Sequence, residues 1–170
     1  MDAAASSVAL AGSDMREGQK QVLVVDDSSF MRNLVKQILS VDDAFNIAGE
    51  AADGVSAIAL VMTLKPDIIV LDIEMPKMNG IEVMKRLKLF SRAKVVVLSS
   101  VAQVGSEVAQ EVRKLGAFDV IPKPSGAISL DLKPKRGRQL LEVMHAAAGL
   151  PPPDFQAMAL RIKGISAQES

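Results

Sequence analysis

Three short runs of apolar residues set the strongest limit on the fold of this chain. They lie at residues 22–25, 68–71 and 95–98, and each is continuous rather than alternating with polar residues. An alternating run is typical of a strand with one face in water, whereas a continuous run is typical of a strand covered on both faces. Such strands occur in parallel sheets that have helices packed on both sides. The three runs therefore predict the central strands of one parallel sheet.

Two weaker runs, at residues 45–50 and 118–121, predict the edge strands of the same sheet. Both mix apolar and polar residues, and the second leads into Pro122, which has no N–H to donate to a central ladder. Segments with helical period lie between and after the strands. Their expected buried faces are, in chain order, Met31, Leu34, Val35, Ile38 and Leu39; Val55, Ile58, Ala59 and Met62; Ile81, Met84 and Leu87; Val108, Val112 and Leu115; and Leu140, Leu141, Met144 and Ala148.

This alternation of strands and helices predicts an α/β fold with a doubly wound, five-stranded parallel sheet. The two weak strands, second and fifth in sequence, lie at the edges if the spatial order is 2-1-3-4-5, the flavodoxin-like order that we predict. Ligands of such sheets bind beyond the carboxyl ends of the strands. We therefore look for functional residues at those ends.

The chain has 170 residues, enough for one well-buried domain with tails. We place the domain at residues 21–149, a flexible leader at residues 1–20, and a linker or tail at residues 150–170, which begins with three prolines after Leu150. The short apolar face of the tail consists of Phe155, Met158 and Ile162. We expect this face to hang free in solvent.

The composition argues against several classes of partner. The 20 Lys and Arg residues match the 20 Asp and Glu residues, so no net charge favours nucleic acid or an anionic membrane. No apolar stretch approaches the ~20 residues that cross a bilayer, so we expect no membrane insertion. The sequence has no cysteine, which suits a reducing compartment, and its N-terminus does not have the pattern of a signal peptide. We therefore predict a cytoplasmic protein.

Polar side chains lie where the predicted strands end. They are, in chain order, Asp26 and Asp27, Asp72, Ser99 and Ser100, and Lys123. Because the carboxyl ends of parallel strands meet at one edge of a sheet, we expect these side chains to converge on one crevice.

Three carboxylates in one crevice repel one another and raise one another's pKa values unless a cation neutralises them. Oxygen ligands with retained water favour Mg²⁺, with Mn²⁺ as a close substitute. Such an ion would attract an oxyanion, for which we predict a phosphoryl group. Lys123 would then neutralise phosphoryl oxygens that the metal does not reach, and Ser99 would donate one further hydrogen bond.

The nucleophile of this crevice is predicted to be a carboxylate. The only histidine of the sequence, His145, lies on the last predicted helix, where we expect a surface residue, so no base is at hand to activate a serine. Asp72 ends the most apolar strand, and attack by an aspartate on a phosphoryl group gives an acyl phosphate. We therefore predict that Asp72 is the phosphoacceptor.

Four segments of the chain resemble the receiver domain of two-component response regulators. They are VVDDS at residues 24–28, LDIEMPKMNG at residues 71–80, LSS at residues 98–100 and PKP at residues 122–124. The resemblance covers residues 21 to about 148, and it implies the flavodoxin-like receiver fold and phosphoryl transfer from a histidine kinase to Asp72.

The resemblance also implies a role for each matching residue. The implied metal ligands are Asp27 and Asp72 directly, Asp26 through water, and the backbone carbonyl of Glu74. The implied phosphoryl contacts are Ser99 and Lys123.

Within that family the chain most resembles the receivers of the chemotaxis protein-glutamate methylesterases, through DDSSFMR at residues 26–32 and KPSGAISL at residues 123–130. This likeness implies a role in chemotaxis and a cis peptide bond before Pro124. The switch region that we expect consists of Ser99, Ser100, Val120 and Pro124. Receivers that signal through a rotating aromatic carry it where this chain has Val120, so the resemblance does not extend to that switch.

The catalytic domain of those methylesterases is not found after Gly149. We therefore expect a phosphoacceptor that catalyses only its own phosphorylation and dephosphorylation, rather than an enzyme with an external substrate. It would be a free-standing regulator of a downstream protein target, or the regulatory fragment of a longer methylesterase whose effector domain is missing.

Two other functions stay open at this point. One is an aspartate-nucleophile phosphatase of the haloacid dehalogenase kind, although Glu74 stands where those enzymes carry a second aspartate. The other is a binding module that acts without phosphate through its tail.

Overall fold

The computed structural model describes residues 18–75, 78–100, 105–123 and 137–160. Strands and helices alternate along these residues as the sequence predicts. The elements are β1 (Lys20–Val25), α1 (Ser29–Ser40), β2 (Phe45–Ala51), α2 (Gly54–Leu64), β3 (Ile68–Asp72), α3 (Gly80–Phe90), β4 (Lys94–Ser99), α4 (Glu107–Lys114), β5 (Asp119–Pro122) and α5 (Arg138–Ala147). A short helix, α6, follows at residues 155–160.

The five strands form one parallel sheet in the order β2-β1-β3-β4-β5, which confirms the predicted fold. Leu71 of β3 pairs with Val25 of β1 on one side and with Val97 of β4 on the other. Ser99 of β4 pairs with Pro122 of β5. This register brings the residues at the ends of β1, β3, β4 and β5 to one edge of the sheet.

The continuous apolar runs supply two separate layers of the core. Val22 and Val24 face the layer that contains α1 and α5, whereas Leu23 and Val25 face the layer that contains α2, α3 and α4. Successive side chains of a strand point to opposite faces, so a strand covered on both sides needs apolar residues at every position. The second layer is the one that packs beneath the loops around Asp72.

The predicted buried faces of α2 and α4 are partly wrong. In α2, Gly54, Ala57 and Val61 are buried, whereas Val55 and Met62 are 64% and 60% exposed. Apolar residues occur all round this helix, so periodicity alone does not fix the buried face, and the small residues let the helix approach the sheet closely. In α4, Ala109 and Val112 are buried and Val108 is 37% exposed.

The tail is not free, contrary to our expectation. Met158 is only 7% exposed and belongs to the first core layer, against which Phe155 also packs. The guanidinium of Arg138 lies 5.0 Å from the centroid of the Phe155 ring, a cation–π contact. Apolar burial therefore holds residues 155–160 on the domain, while Ile162 lies outside the described residues.

His145 is also not the surface residue that we expected. It is 9% exposed, with Nε2 at 2.5 Å from Asp42 Oδ2 and Nδ1 at 2.8 Å from the carbonyl oxygen of Pro151. Its ring meets Phe45 edge to face, with the centroids 5.5 Å apart. Both ring nitrogens have partners, as a buried polar ring requires. The helical pattern places His145 at the border of the apolar face of α5. The tail covers this position, so the side chain is buried.

The predicted leader, as far as residue 17, lies outside the described residues. Among the residues that the structure describes, no helix is both long and apolar enough to cross a bilayer.

Candidate functional site

Three aspartates meet at the carboxyl edge of the sheet. One carboxylate oxygen from each of Asp26, Asp27 and Asp72 lies within 4.8 Å of the others. Asp72 is fully buried and Asp26 is 2% exposed, whereas Asp27 is exposed. Asp26 and Asp27 follow β1 and Asp72 ends β3, and these strands are neighbours in the sheet. The cluster is therefore a direct result of the strand order.

Backbone groups hold one oxygen of each buried carboxylate. The N–H of Ser28 donates to Asp26 Oδ1 at 2.9 Å, and the N–H of Glu74 donates to Asp72 Oδ1 at 2.9 Å. The guanidinium of Arg32 donates to the carbonyl oxygen of Asp26 at 2.7 Å, which anchors the end of β1. These contacts orient both side chains towards the same point.

The other oxygen of each buried carboxylate has no partner among the described residues. Asp26 Oδ2 and Asp72 Oδ2 are buried and accept no hydrogen bond within the described part of the chain. A buried carboxylate oxygen without a partner carries a substantial desolvation cost. Two such atoms beside a third carboxylate form an all-oxygen ligand set of the kind that Mg²⁺ prefers. The residues present therefore fit a hard divalent cation.

Burial raises the pKa of both inner aspartates. Loss of hydration is the main cause of the rise of the Asp26 pKa to about 7, and the charge of Asp72 adds to it, while the hydrogen bond from Ser28 opposes it. Burial likewise raises the pKa of Asp72, against the lowering effects of Lys123 and of the Glu74 N–H. The folded protein therefore disfavours the full negative charge of the cluster unless a cation offsets it.

Lys123 completes the site from the end of β5. Its Nζ lies 2.8 Å from Asp72 Oδ1 and 3.9 Å from Glu74 Oε2. Burial acts to lower the pKa of Lys123, but the hydrogen bond to Asp72 and the surrounding carboxylates together raise it. The backbone N–H of Lys123 donates to the carbonyl oxygen of Ser99 at 2.7 Å, which fixes the residue at the strand end. The ammonium group is thus charged and aimed at the predicted phosphoacceptor.

The two serines after β4 have different positions. Ser99 is fully buried, and its Oγ makes no hydrogen bond among the described residues. The N–H of Ser100 donates to Glu74 Oε1 at 3.1 Å. An unpartnered hydroxyl next to Asp72 and Lys123 can donate to an oxyanion there. The carboxylate of Glu74 is a contact that the sequence analysis missed, because it considered only the carbonyl of this residue and the side chain carries no spacing signal.

Gly80 lies against the backbone beside Asp72, where there is no room for a side chain. A Cβ at this position would lie 2.7 Å from Ile73 Cα and 3.1 Å from the carbonyl oxygen of Asp72. Its N–H donates to the carbonyl oxygen of Ile73 at 3.2 Å. The side chain of Asn79 accepts from the N–H of Glu82 and caps α3. The Asn-Gly pair therefore lets the start of α3 pack closely against the backbone that carries Asp72.

The predicted switch residues are only partly described. Val120 is buried in the second core layer, and its carbonyl oxygen accepts from Arg113 at 3.3 Å. Pro124, with the predicted cis bond before it, lies outside the described residues.

Comparisons with known proteins find a matching family model and similar sequences. The family model described as the response regulator receiver domain matches residues 22–133, more than half of the chain. A curated relative, the protein-glutamate methylesterase/protein-glutamine glutaminase of Bacillus licheniformis, is 44% identical over 126 residues. The match covers 74% of this chain and 35% of the relative. The chain thus spans about a third of the length of this curated relative.

Two solved structures extend the comparison to three dimensions. The response regulator domain of Thermotoga maritima CheB gives a TM-score of 0.70 at 39% identity and covers 79% of this chain and 99% of that domain. A complex of the P1 domain of CheA3 with CheY6 from R. sphaeroides gives a TM-score of 0.61 at 36% identity, covering 75% of this chain and 98% of that one.

Proposed function

This chain belongs to the response regulator receiver domain family, and from that premise we propose that Asp72 accepts a phosphoryl group from a histidine kinase. The observation that carries the proposal is the state of the Asp72 carboxylate. It is fully buried, its Oδ1 is 2.8 Å from Lys123 Nζ, and its Oδ2 has no partner among the described residues. A nucleophilic carboxylate needs this combination of a fixed direction and a free oxygen.

In the proposed reaction, an Asp72 oxygen forms a bond to phosphorus as the bond between phosphorus and the kinase histidine breaks. The histidine leaves with the electron pair of that bond and is neutral after it takes up a proton. Lys123 and the Ser99 hydroxyl would contact the phosphoryl oxygens. A bound Mg²⁺, or Mn²⁺ in its place, would supply positive charge that offsets the carboxylates and the incoming oxyanion.

The proposed metal ligands are Asp27 and Asp72 directly, Asp26 through water, and the backbone carbonyl of Glu74. The two buried and unpartnered carboxylate oxygens support this set. The raised pKa of Asp26 supports it as well, since a cation would return that carboxyl to its charged form.

The consequence of phosphorylation that we propose is a change at the end of β4. Lys123 now bonds Asp72 and lies 3.9 Å from Glu74, and the Glu74 carboxylate accepts from the N–H of Ser100. A phosphoryl group on Asp72 would compete for Lys123 and for the free hydroxyl of Ser99. The proposed switch region is therefore Ser99 and Ser100, together with Val120 and Pro124.

Partners and location belong to the same proposal. The similar complex of a P1 domain with CheY6 supports a histidine kinase domain as the phosphodonor. We propose that the chain works in the cytoplasm, without nucleic acid and without membrane insertion.

The output is a downstream protein target or an effector domain like that of the longer methylesterases. Likeness to those relatives favours a role in chemotaxis. The chain would catalyse its own phosphorylation and dephosphorylation.

The direct test is the mass of the intact protein after incubation with acetyl phosphate and Mg²⁺. We expect one phosphoryl group on the wild type and none on Asp72→Asn. The matched control is Asp43→Asn, which changes an exposed aspartate before β2 at the opposite edge of the sheet and should be labelled like the wild type. Normal labelling of Asp72→Asn would refute the proposal, as would labelling of the wild type that is unchanged by EDTA.

A further inference from the structure

A groove at the amino edge of the sheet has no part in the proposed phosphoryl chemistry. It lies between the C-terminal ends of α2 and α3, where a cavity of about 420 Å³ is lined by Met62, Lys65, Phe90 and Arg92 among others. The length of β3 separates this groove from the acidic cluster by roughly 15 Å. Occupants of the two sites would therefore not touch each other.

The walls of the groove carry exposed apolar side chains. Met62 is 60% exposed and Phe90 is 46% exposed, and the neighbouring Leu89 is 85% exposed. Single exposed apolar residues are ordinary on a protein surface, whereas large ones gathered around a concave site mark an interaction surface. The groove offers apolar anchor sites that the fold itself does not fill.

The rim of the groove is basic. Lys65 and Arg92 line the cavity, and Lys88 and Lys94 line an adjoining cavity of about 300 Å³ that shares Arg92. Among the residues that the structure describes, none of these four cations lies within 4.0 Å of a carboxylate. The acid beside them, Asp67, accepts a hydrogen bond from the backbone of β1 at 2.7 Å. The charge of the rim is thus left for a partner to neutralise.

We propose that this groove binds an acidic amphipathic helix of a partner protein. Apolar side chains one helical turn apart would enter between Met62 and Phe90, and carboxylates on the flanking positions would face Lys65 and Arg92. An added β-strand does not suit the site, because β3 and β4 behind it are paired on both sides. A second copy of this chain would bring the same cations against one another, which disfavours self-association.

The test uses the full, ¹⁵N-labelled chain and a designed helical peptide of about 18 residues, with Leu on one face and Glu elsewhere. Two matched peptides replace every Glu by Gln or every Leu by Ser. We expect the first peptide to cause saturable changes in the NMR chemical shifts of the Met62, Phe90 and Arg92 amides. The two matched peptides should bind at least about tenfold more weakly. Raising NaCl from about 0.05 to about 0.5 M should weaken the binding, because salt screens the rim charges.

Variants separate the groove from the rest of the surface. The double variant with Lys65→Glu and Arg92→Glu should bind the first peptide about tenfold more weakly than the wild type, or weaker still. The variant Met62→Ser should bind it about threefold to tenfold more weakly. The matched controls are Lys85→Glu in α3 and Val55→Ser in α2, which are exposed, line neither cavity and should stay within about twofold of the wild type. Labelling of each variant by acetyl phosphate reports that it has folded, and that readout can fail or succeed independently of peptide binding.

Five results would overturn the proposal. One is the absence of saturable binding at about 1 mM peptide, and another is equal binding of the Glu and Gln peptides. A third is binding of a single-stranded DNA oligonucleotide that is as tight as binding of the peptide, or tighter. The fourth is a change in the chemical shifts of the groove amides with protein concentration when no peptide is present. Shifts of the same amides on removal of residues 1–17 would also overturn it, since the chain would then cover its own groove.

Discussion

Replacing Asp26 by Asn should stabilise the metal-free protein. Asp26 is 2% exposed, and burial together with the charge of Asp72 raises its pKa from 3.8 to about 7. Asn removes the ionisable group but keeps an Oδ1 that can accept the 2.9 Å hydrogen bond from Ser28. The variant therefore loses the cost of a buried charge without losing the contact that orients the side chain.

The magnitude follows from the difference between the folded and unfolded pKa values. A rise of the pKa from 3.8 to about 7 corresponds to about 4 kcal/mol. The folded state binds this proton more tightly, so the cost is absent below the unfolded pKa of 3.8, grows as pH rises and is complete above about 7. We expect Asp26→Asn to gain as much as about 4 kcal/mol at pH 8, and about 1 kcal/mol or less at pH 4.5.

Thermal unfolding followed by circular dichroism in EDTA measures this gain across that pH range. For a domain of this size the gain at pH 8 corresponds to a rise in Tm of about 8–15 °C. Asp43→Asn is the control for loss of an exposed aspartate, and the gain of Asp26→Asn is measured against it at each pH. Addition of Mg²⁺ should raise the Tm of the wild type more than that of Asp26→Asn, since ligand binding stabilises the folded state. A gain that is equal at pH 4.5 and pH 8, or no gain at all, would refute the electrostatic reasoning.

Three further changes test other parts of the structure. Lys123→Met leaves Asp72 without its 2.8 Å partner and should lower the free energy of unfolding by about 1–3 kcal/mol in urea at pH 7. Lys123→Arg keeps the positive charge and should lose less stability than Lys123→Met. Equal losses of stability in the two variants would contradict a role for the charge. Gly80→Ala places a Cβ 2.7 Å from the backbone at the end of β3. We expect the free energy of unfolding in urea to fall by about 1–3 kcal/mol and labelling by acetyl phosphate to slow. Unchanged labelling would show that the loop tolerates the added Cβ. His145→Ala removes the partner of Asp42 Oδ2, while Asp42 Oδ1 keeps its hydrogen bond from the N–H of Ala44. We expect a loss of about 1–3 kcal/mol in urea, and a loss in the double variant with Asp42→Ala that is smaller than the sum of the two single losses. Additive losses would mean that the pair is not coupled.

The architecture could be predicted because each central strand contains four consecutive apolar residues. That pattern is required only where helices cover both faces, so the runs at β1, β3 and β4 fix a parallel sheet. The weaker pattern of β2 and β5 places these strands at the edges, as the flavodoxin-like order requires. The positions of Asp26, Asp72 and Lys123 follow from that order without any knowledge of side-chain geometry.

The buried face of α2 could not be predicted in the same way. Val55, Ile58 and Met62 recur at helical spacing, but so do Gly54, Ala57 and Val61, and the structure buries the second set. Close packing favours small residues at a tight contact, which a count of apolar residues undervalues. The exposed Met62 that results is one wall of the groove at the amino edge of the sheet.

The tail and His145 were missed for a different reason. After α5 the chain turns back at a proline-rich segment. Pro151 then contacts His145, and Met158 is buried against the domain. Such contacts depend on the path of the chain, which local periodicity does not describe. The carboxylate of Glu74, which bonds the N–H of Ser100, likewise depends on the meeting of two loops.

The central claim is that the three aspartates at the carboxyl edge form a site for a divalent cation beside the phosphoacceptor. It is tested most directly by titrating the ¹⁵N-labelled chain with Mg²⁺ at pH 7.5 and following the backbone amides. We predict saturable shifts, at millimolar Mg²⁺ or below, of the amides of Asp27, Asp72 and Glu74, with no effect at the groove formed by Met62 and Phe90, and loss of these shifts in Asp72→Asn. Absence of saturation, or saturable shifts that persist unchanged in Asp72→Asn, would contradict the account.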